Sequence, residues 1–144
     1  MHHRKLLDIV AGQNLLHVTG ETDIVSVSKL MAERNVAAVL AIEDGELKGI
    51  FTERDLLRRV VACDLNPAKT KLSDVMTTGI ITIDADRLGF EAAALMIEYG
   101  IRHVVVSGLP DPGYGIVSIR DFAHGEMSGF EKEIEFEKKV WSSI

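Results

Sequence analysis

The feature that most constrains this chain is that it repeats itself within 144 residues. At an offset of 65, His17-Val18 aligns with Thr82-Ile83, Leu30-Met31-Ala32-Glu33 with Leu95-Met96-Ile97-Glu98, and Val36 with Ile101. One extra loop residue moves the offset to 66, where Gly49-Ile50-Phe51-Thr52-Glu53-Arg54-Asp55 aligns with Gly115-Ile116-Val117-Ser118-Ile119-Arg120-Asp121. Gly, Ile, Arg and Asp match identically, and hydroxyl meets hydroxyl. Neither half alone would bury much surface, so two small repeats sharing a core are expected.

Each copy reads as strand, helix, strand, strand, helix. The first strands fall around Leu15 to Val18 and Ile80 to Ile83. Apolar residues at Val27, Leu30 and Met31, and at Leu88, Ala92, Leu95, Met96 and Tyr99, recur at helical spacing and predict one buried stripe per copy. β-branched runs follow, Val36 to Ile42 and Ile101 to Val106, then a turn and a further strand at Lys48 to Phe51 and Gly115 to Val117. The first turn carries the hairpin signal Asp44-Gly45, whereas the second is longer and proline-rich, Gly108-Leu109-Pro110-Asp111-Pro112-Gly113. Asn66 to Lys71 reads as a linker, and Asp74-Val75-Met76-Thr77 as the start of the second copy. The division expected is residues 12–66, 73–125 and an amphipathic tail helix over 126–144, with Phe130, Ile134 and Trp141 on one face. That tail either packs on its own subunit or crosses to a dimer partner.

Charge and composition exclude several classes. A net charge of −6 argues against a general nucleic-acid binder, although a local basic pocket stays open. The longest apolar run, Val36 to Ile42, is far shorter than the roughly 18 residues of a membrane span. No apolar signal-peptide core follows the charged start, and a single cysteine, Cys63, allows no intrachain disulfide. A cytoplasmic protein is expected. Enzymatic machinery is not legible: no Ser-His-Asp pattern, no H-E-x-x-H, no Gly-x-Gly-x-x-Gly and no phosphate-binding Walker loop occurs. His2-His3 could hold a metal only weakly.

The doubled Gly-h-h-Ser/Thr-x-Arg-Asp pattern (h apolar), each copy preceded by the matching helix and strand, resembles a tandem pair of cystathionine β-synthase (CBS) domains over roughly residues 12 to 125. The resemblance implies an α/β fold of two pseudo-symmetric β-α-β-β-α repeats packed as one disc-like unit. It also implies a regulatory role without an obligatory cofactor, with an adenine nucleotide (AMP, ADP, ATP or NAD) or S-adenosylmethionine in the cleft between repeats. The resemblance further implies a homodimer acting on an unknown regulated protein. Members often carry proline where this chain has Val105, and glycine near Ala37.

The chemistry of the motif residues suits such a ligand. Asp55 and Asp121 can accept hydrogen bonds from both hydroxyls of a ribose. Thr52 and Ser118, expected to open helices, sit where free N–H groups and the helix dipole favour a phosphate, with Arg54, Arg120, Arg102 and His103 as countercharge. Val18, Val36, Ile50, Ile101, Val104 and Ile116 would wall a flat base, His17 could stack there, and Thr77 could add a hydroxyl beside the second site. Each position also has a plainer reading. Thr52-x-x-Asp55 and Ser118-x-x-Asp121 are helix capping boxes, and Arg58 or Arg59 could pair with Asp55 at helical spacing. His124 and Gly125 occupy the matching positions after Asp121, so no such pair is available there. Arg102-His103 has no counterpart at Val36-Ala37, which predicts two unequal sites. The remaining alternative is a structural dimerisation or docking domain with empty clefts.

Overall fold

The structure, a computed structural model, describes residues 4–142, with the side chains at 124 and 125 outside the description. His2-His3 therefore lies outside the described residues. The chain divides into two compact units, residues 14–80 and residues 4–13 with 81–142.

In the first unit, β1 (His17–Val18) runs parallel to β2 (Ala38–Glu43), which pairs antiparallel with β3 (Glu46–Thr52). Between β1 and β2 lies α2 (Ile24–Arg34), started by Asp23, whose carboxylate accepts the Ser26 N–H at 2.9 Å. After β3 comes α3, α-helical over Glu53–Asp55 and π-helical over Leu56–Val61. The second unit repeats the order: β4 (Thr82–Asp84), α5 (Gly89–Tyr99), β5 (His103–Ser107) and β6 (Tyr114–Ser118), again parallel then antiparallel. Both α2 and α5 end on a left-handed residue, Asn35 at φ 54° and Gly100 at φ 63°, one offset of 65 apart in sequence.

Two short helices, α1 (Leu6–Ile9) and α4 (Leu72–Val75), complete the units in exchanged fashion. The helix preceding the first repeat belongs to the second unit, and the helix preceding the second repeat belongs to the first. Leu6 donates its N–H to Arg87 and Leu72 donates to Thr22, and both leucine side chains are fully buried. Asp74-Val75-Met76-Thr77, read from sequence as opening the second copy, thus packs on the first. The physical reason is the open edge of β3: Thr77 and Ile50 exchange two backbone hydrogen bonds there, at 3.0 and 2.9 Å.

Each unit has a core of its own. Ile24, Val27, Met31, Val39, Ala41, Phe51 and Leu72 form the first, and Leu6, Ala92, Met96, Val104, Val106, Val117 and Phe130 the second. The motif glycines owe their identity to close approach. A Cβ on Gly49 would overlap the Met76 side chain, and one on Gly115 would lie 3.0 Å from Leu109 and 3.1 Å from Gln13.

Three expectations are corrected. Tyr99 is 57% exposed, because the covered face of α5 is the Gly89, Ala92, Ala93, Met96 stripe and Tyr99 sits beyond it at the helix end. Ser118 does not open an α-helix: a single 3-10 turn, Ile119–Asp121, follows it, Phe122 turns back to extended backbone, and the closing helix α6 runs from His124–Ser142. Phe122 is buried edge-on against Phe130 at 5.6 Å, and seating that ring interrupts the helix. The tail is therefore the closing helix of the second copy. Its Phe130 is buried, but Trp141 is 76% exposed. No described helix is long and apolar enough to cross a membrane.

Candidate functional site

The two sets of candidate residues lie each within one unit, on equivalent elements. In the first, the register pairs His17 with Leu40, Leu40 with Ile50, and Ala38 with Thr52. Because side chains alternate along a strand, this rung places His17, Ile50 and Thr52 on the sheet face opposite Val39, Ala41 and Phe51 of the core. Val18 and Val36 pack against that core. In the second unit His103 pairs with Ser118 and Val105 with Ile116, which puts His103, Ile116 and Ser118 on one face. Val104 is fully buried in the core on the other face, and Ile101 packs against it.

Both motifs end in a reciprocal cap. Thr52 donates its N–H at 3.0 Å and its hydroxyl at 3.1 Å to Asp55 Oδ2, while Asp55 N–H returns a bond to Thr52 Oγ1 at 3.3 Å. Ser118 donates its N–H to Asp121 Oδ2 at 2.7 Å, and its Oγ accepts from Arg120 N–H at 3.2 Å. The strand preceding each motif is tied in the same way, Glu53 N–H to the Ala37 carbonyl and Ile119 N–H to the Arg102 carbonyl, both at 3.0 Å.

Beyond the cap the copies differ. Asp55 Oδ1 faces Arg59 Nε at 3.7 Å, and Arg59 is anchored in turn by donating to the Val75 carbonyl at 3.1 Å. The pairing expected from helical spacing is realised, by Arg59. Asp121 is exposed, and its Oδ1 has no hydrogen-bond partner among the described residues. Arg54, Arg102 and Arg120 are exposed with no carboxylate partner among the described residues. Thr77 stands beside Ile50 in the first unit, for the edge-pairing reason given above.

Sequence reasoning missed Gln13, Arg4 and Glu126. The Gln13 amide donates to the Ile116 carbonyl and accepts its N–H, both at 2.8 Å, so a side chain does for β6 what the Thr77 backbone does for β3. Glu126 accepts the Ala123 N–H at 3.0 Å and pairs with Arg4 at 3.1 Å. Those bonds to the charged form, first from the Ala123 N–H and then from Arg4, hold its carboxyl below the ordinary value of 4.5, against opposing burial. Asp23 is likewise held below 3.8, first by the Ser26 N–H and then by the Ser26 hydroxyl. A depressed folded value contributes stability that is complete above the unfolded value and lost as pH falls through the folded one. The urea midpoint is therefore expected to rise as pH is raised from strongly acidic conditions toward the ordinary carboxylate value of 4.5, and Glu126→Gln should flatten that rise. An unchanged pH slope in the variant, by circular dichroism, would contradict the Glu126 assignment. Among the described residues no cluster of three His, Cys, Asp or Glu side chains forms a metal site.

Paired three-stranded α/β units, each ending its sheet on a hydroxyl-to-carboxylate cap, define a tandem-repeat module. The chain matches the CBS domain twice, over residues 8–62 and 72–127, and belongs to the CBS domain family. It is 32% identical over 126 residues to the mitochondrial CBS domain-containing protein CBSX3 of Arabidopsis thaliana, covering 83% of this chain and 60% of that one. The chain thus spans about 60% of that relative's length. A CBS-domain protein of Burkholderia ambifaria superposes with a TM-score of 0.70 at 30% identity, covering 78% of this chain and 85% of that chain. A Pyrobaculum aerophilum CBS domain protein, PAE2072, solved in complex with AMP, superposes with a TM-score of 0.74 at 22% identity, over 89% and 98% of the two chains. The pair is a regulatory module.

Proposed function

We propose that this chain senses an adenine nucleotide and that the second copy holds the principal site. The observation that carries the reading is the difference between the aspartates: Asp55 Oδ1 faces Arg59 at 3.7 Å, whereas Asp121 Oδ1 has no hydrogen-bond partner among the described residues. A carboxylate that its cap orients through one oxygen suits a ribose diol at the other, and the exposed Arg102 and Arg120 supply countercharge for phosphate, with His103 on the same face as Ser118. The AMP found in the Pyrobaculum protein supports AMP as the first ligand to try, with ADP, ATP, NAD and S-adenosylmethionine as competitors. The output is a shift between conformations read by a partner protein or a second copy of the chain.

A second reading, a dimerisation or docking domain without nucleotide, is favoured by the apolar residues that α6 exposes, Phe136 at 67% and Trp141 at 76%. Thermal unfolding with and without ligand separates the two. AMP at about 100 times its dissociation constant should stabilise the fold by about 2.7 kcal/mol. No shift with any of the five adenosyl compounds would favour the docking reading.

A further inference from the structure

The N-terminal segment grips the second motif at both ends. At the β6 end the Gln13 amide brackets Ile116. At the other end a single nitrogen, Arg4 Nη2, donates to the Asp121 carbonyl at 3.1 Å and to both Glu126 oxygens at 3.1 and 3.2 Å. The Glu126 side chain is only 8% exposed and also accepts the Ala123 N–H ahead of α6, so Arg4 joins the Asp121 turn directly to the first turn of the tail helix. Among the described residues the first motif has no such link: Arg59, which serves Asp55, sits on the helix that follows and ties it to Val75.

We propose that Arg4 is a positioning residue for the second site, holding the Asp121 turn against the start of α6 so that nucleotide occupancy and docking of the tail helix are coupled. The inference rests on the nucleotide reading of the second copy. Coupling through one shared hydrogen-bonded node is reciprocal: whatever the ligand does to the α6 terminus, that terminus does to ligand affinity. Trp141, the sole tryptophan, lies in the last turn of α6 and lines a groove with Phe90, Ala94 and Ile134, so its emission reports how the helix docks.

The test uses the full chain with AMP. Equilibrium dialysis measures occupancy while Trp141 emission is followed in the same samples, for wild type, Arg4→Met and Glu126→Gln. Methionine keeps an unbranched apolar stem and removes the guanidinium, with its donors, its charge and its place over the Phe122 ring at 6.0 Å from the centre. Glu126→Gln keeps an acceptor for Ala123 and guards against a variant that fails to fold. Wild type should change emission on saturation. Both variants should bind AMP about 5-fold more weakly or worse and show no emission change even when saturated, a loss that simple destabilisation would not produce. Normal affinity in Arg4→Met, or an intact emission change in both saturated variants, would overturn the coupling and leave the nucleotide site standing. Absence of AMP binding to the wild type in dialysis would overturn the nucleotide reading and the coupling with it.

Discussion

Phe130→Ala is expected to lower the stability of the chain by about 3–5 kcal/mol, the cost of emptying a large aromatic from a packed core. Phe130 is 1% exposed, and two other rings meet it edge-on, Phe90 at 5.4 Å and Phe122 at 5.6 Å. Edge-to-face pairs add to the area term, and neither neighbouring ring can collapse into the vacated space without leaving its own contacts. Because domains of this size are stable by only about 5–15 kcal/mol, the loss takes a large share of the total. Urea unfolding measures it. Phe136→Ala, on the same helix but 67% exposed, should stay within about 0.5 kcal/mol of wild type. A Phe130→Ala cost below about 1 kcal/mol would mean that α6 does not close the second core as described.

The second large effect concerns the ligand. Asp121→Ala is expected to weaken AMP by about 10- to 100-fold, the worth of one or two hydrogen bonds to a charged carboxylate. Asp55→Ala should weaken it less than about threefold, since the Asp55 carboxylate is already held by Thr52 and Arg59. Asp121 also caps its own turn through Ser118, so the variant loses some stability regardless. Asp121→Asn separates the roles: it keeps an acceptor for the Ser118 N–H but not the charge. Isothermal titration with AMP reads both variants. Equal losses at Asp55 and Asp121 would remove the argument for unequal sites.

Much of this was legible in the sequence, and the parts that were not share a cause. The doubled motif, the hairpins and the two 11-residue helices follow from local signals: alternation, helical spacing, and Asn35 and Gly100 at equivalent helix ends. Periodicity finds a stripe without saying what covers it, which is why Tyr99 falls on the stripe in sequence and is exposed at the helix end in the structure. The exchange of α1 and α4 had a signal that went unused, since Lys5-Leu6 and Asp8 align with Lys71-Leu72 and Asp74 at the same offset of 66. Its consequence, that each short helix packs in the unit of the other repeat, is a matter of tertiary packing and invisible to local pattern. At the candidate site, the caps and the Asp55–Arg59 pair lie within four residues and could be read directly. The Gln13–Ile116 and Arg4–Glu126 links span 103 and 122 residues, and no local spacing encodes them.

The measurement that tests the central claim most directly is the stoichiometry of AMP binding to the full chain, by equilibrium dialysis on wild type and Asp121→Ala in parallel. The account predicts one tight site per chain in the wild type, lost in Asp121→Ala, with any second event markedly weaker. Two sites of equal affinity, or a tight site that survives Asp121→Ala, would contradict it.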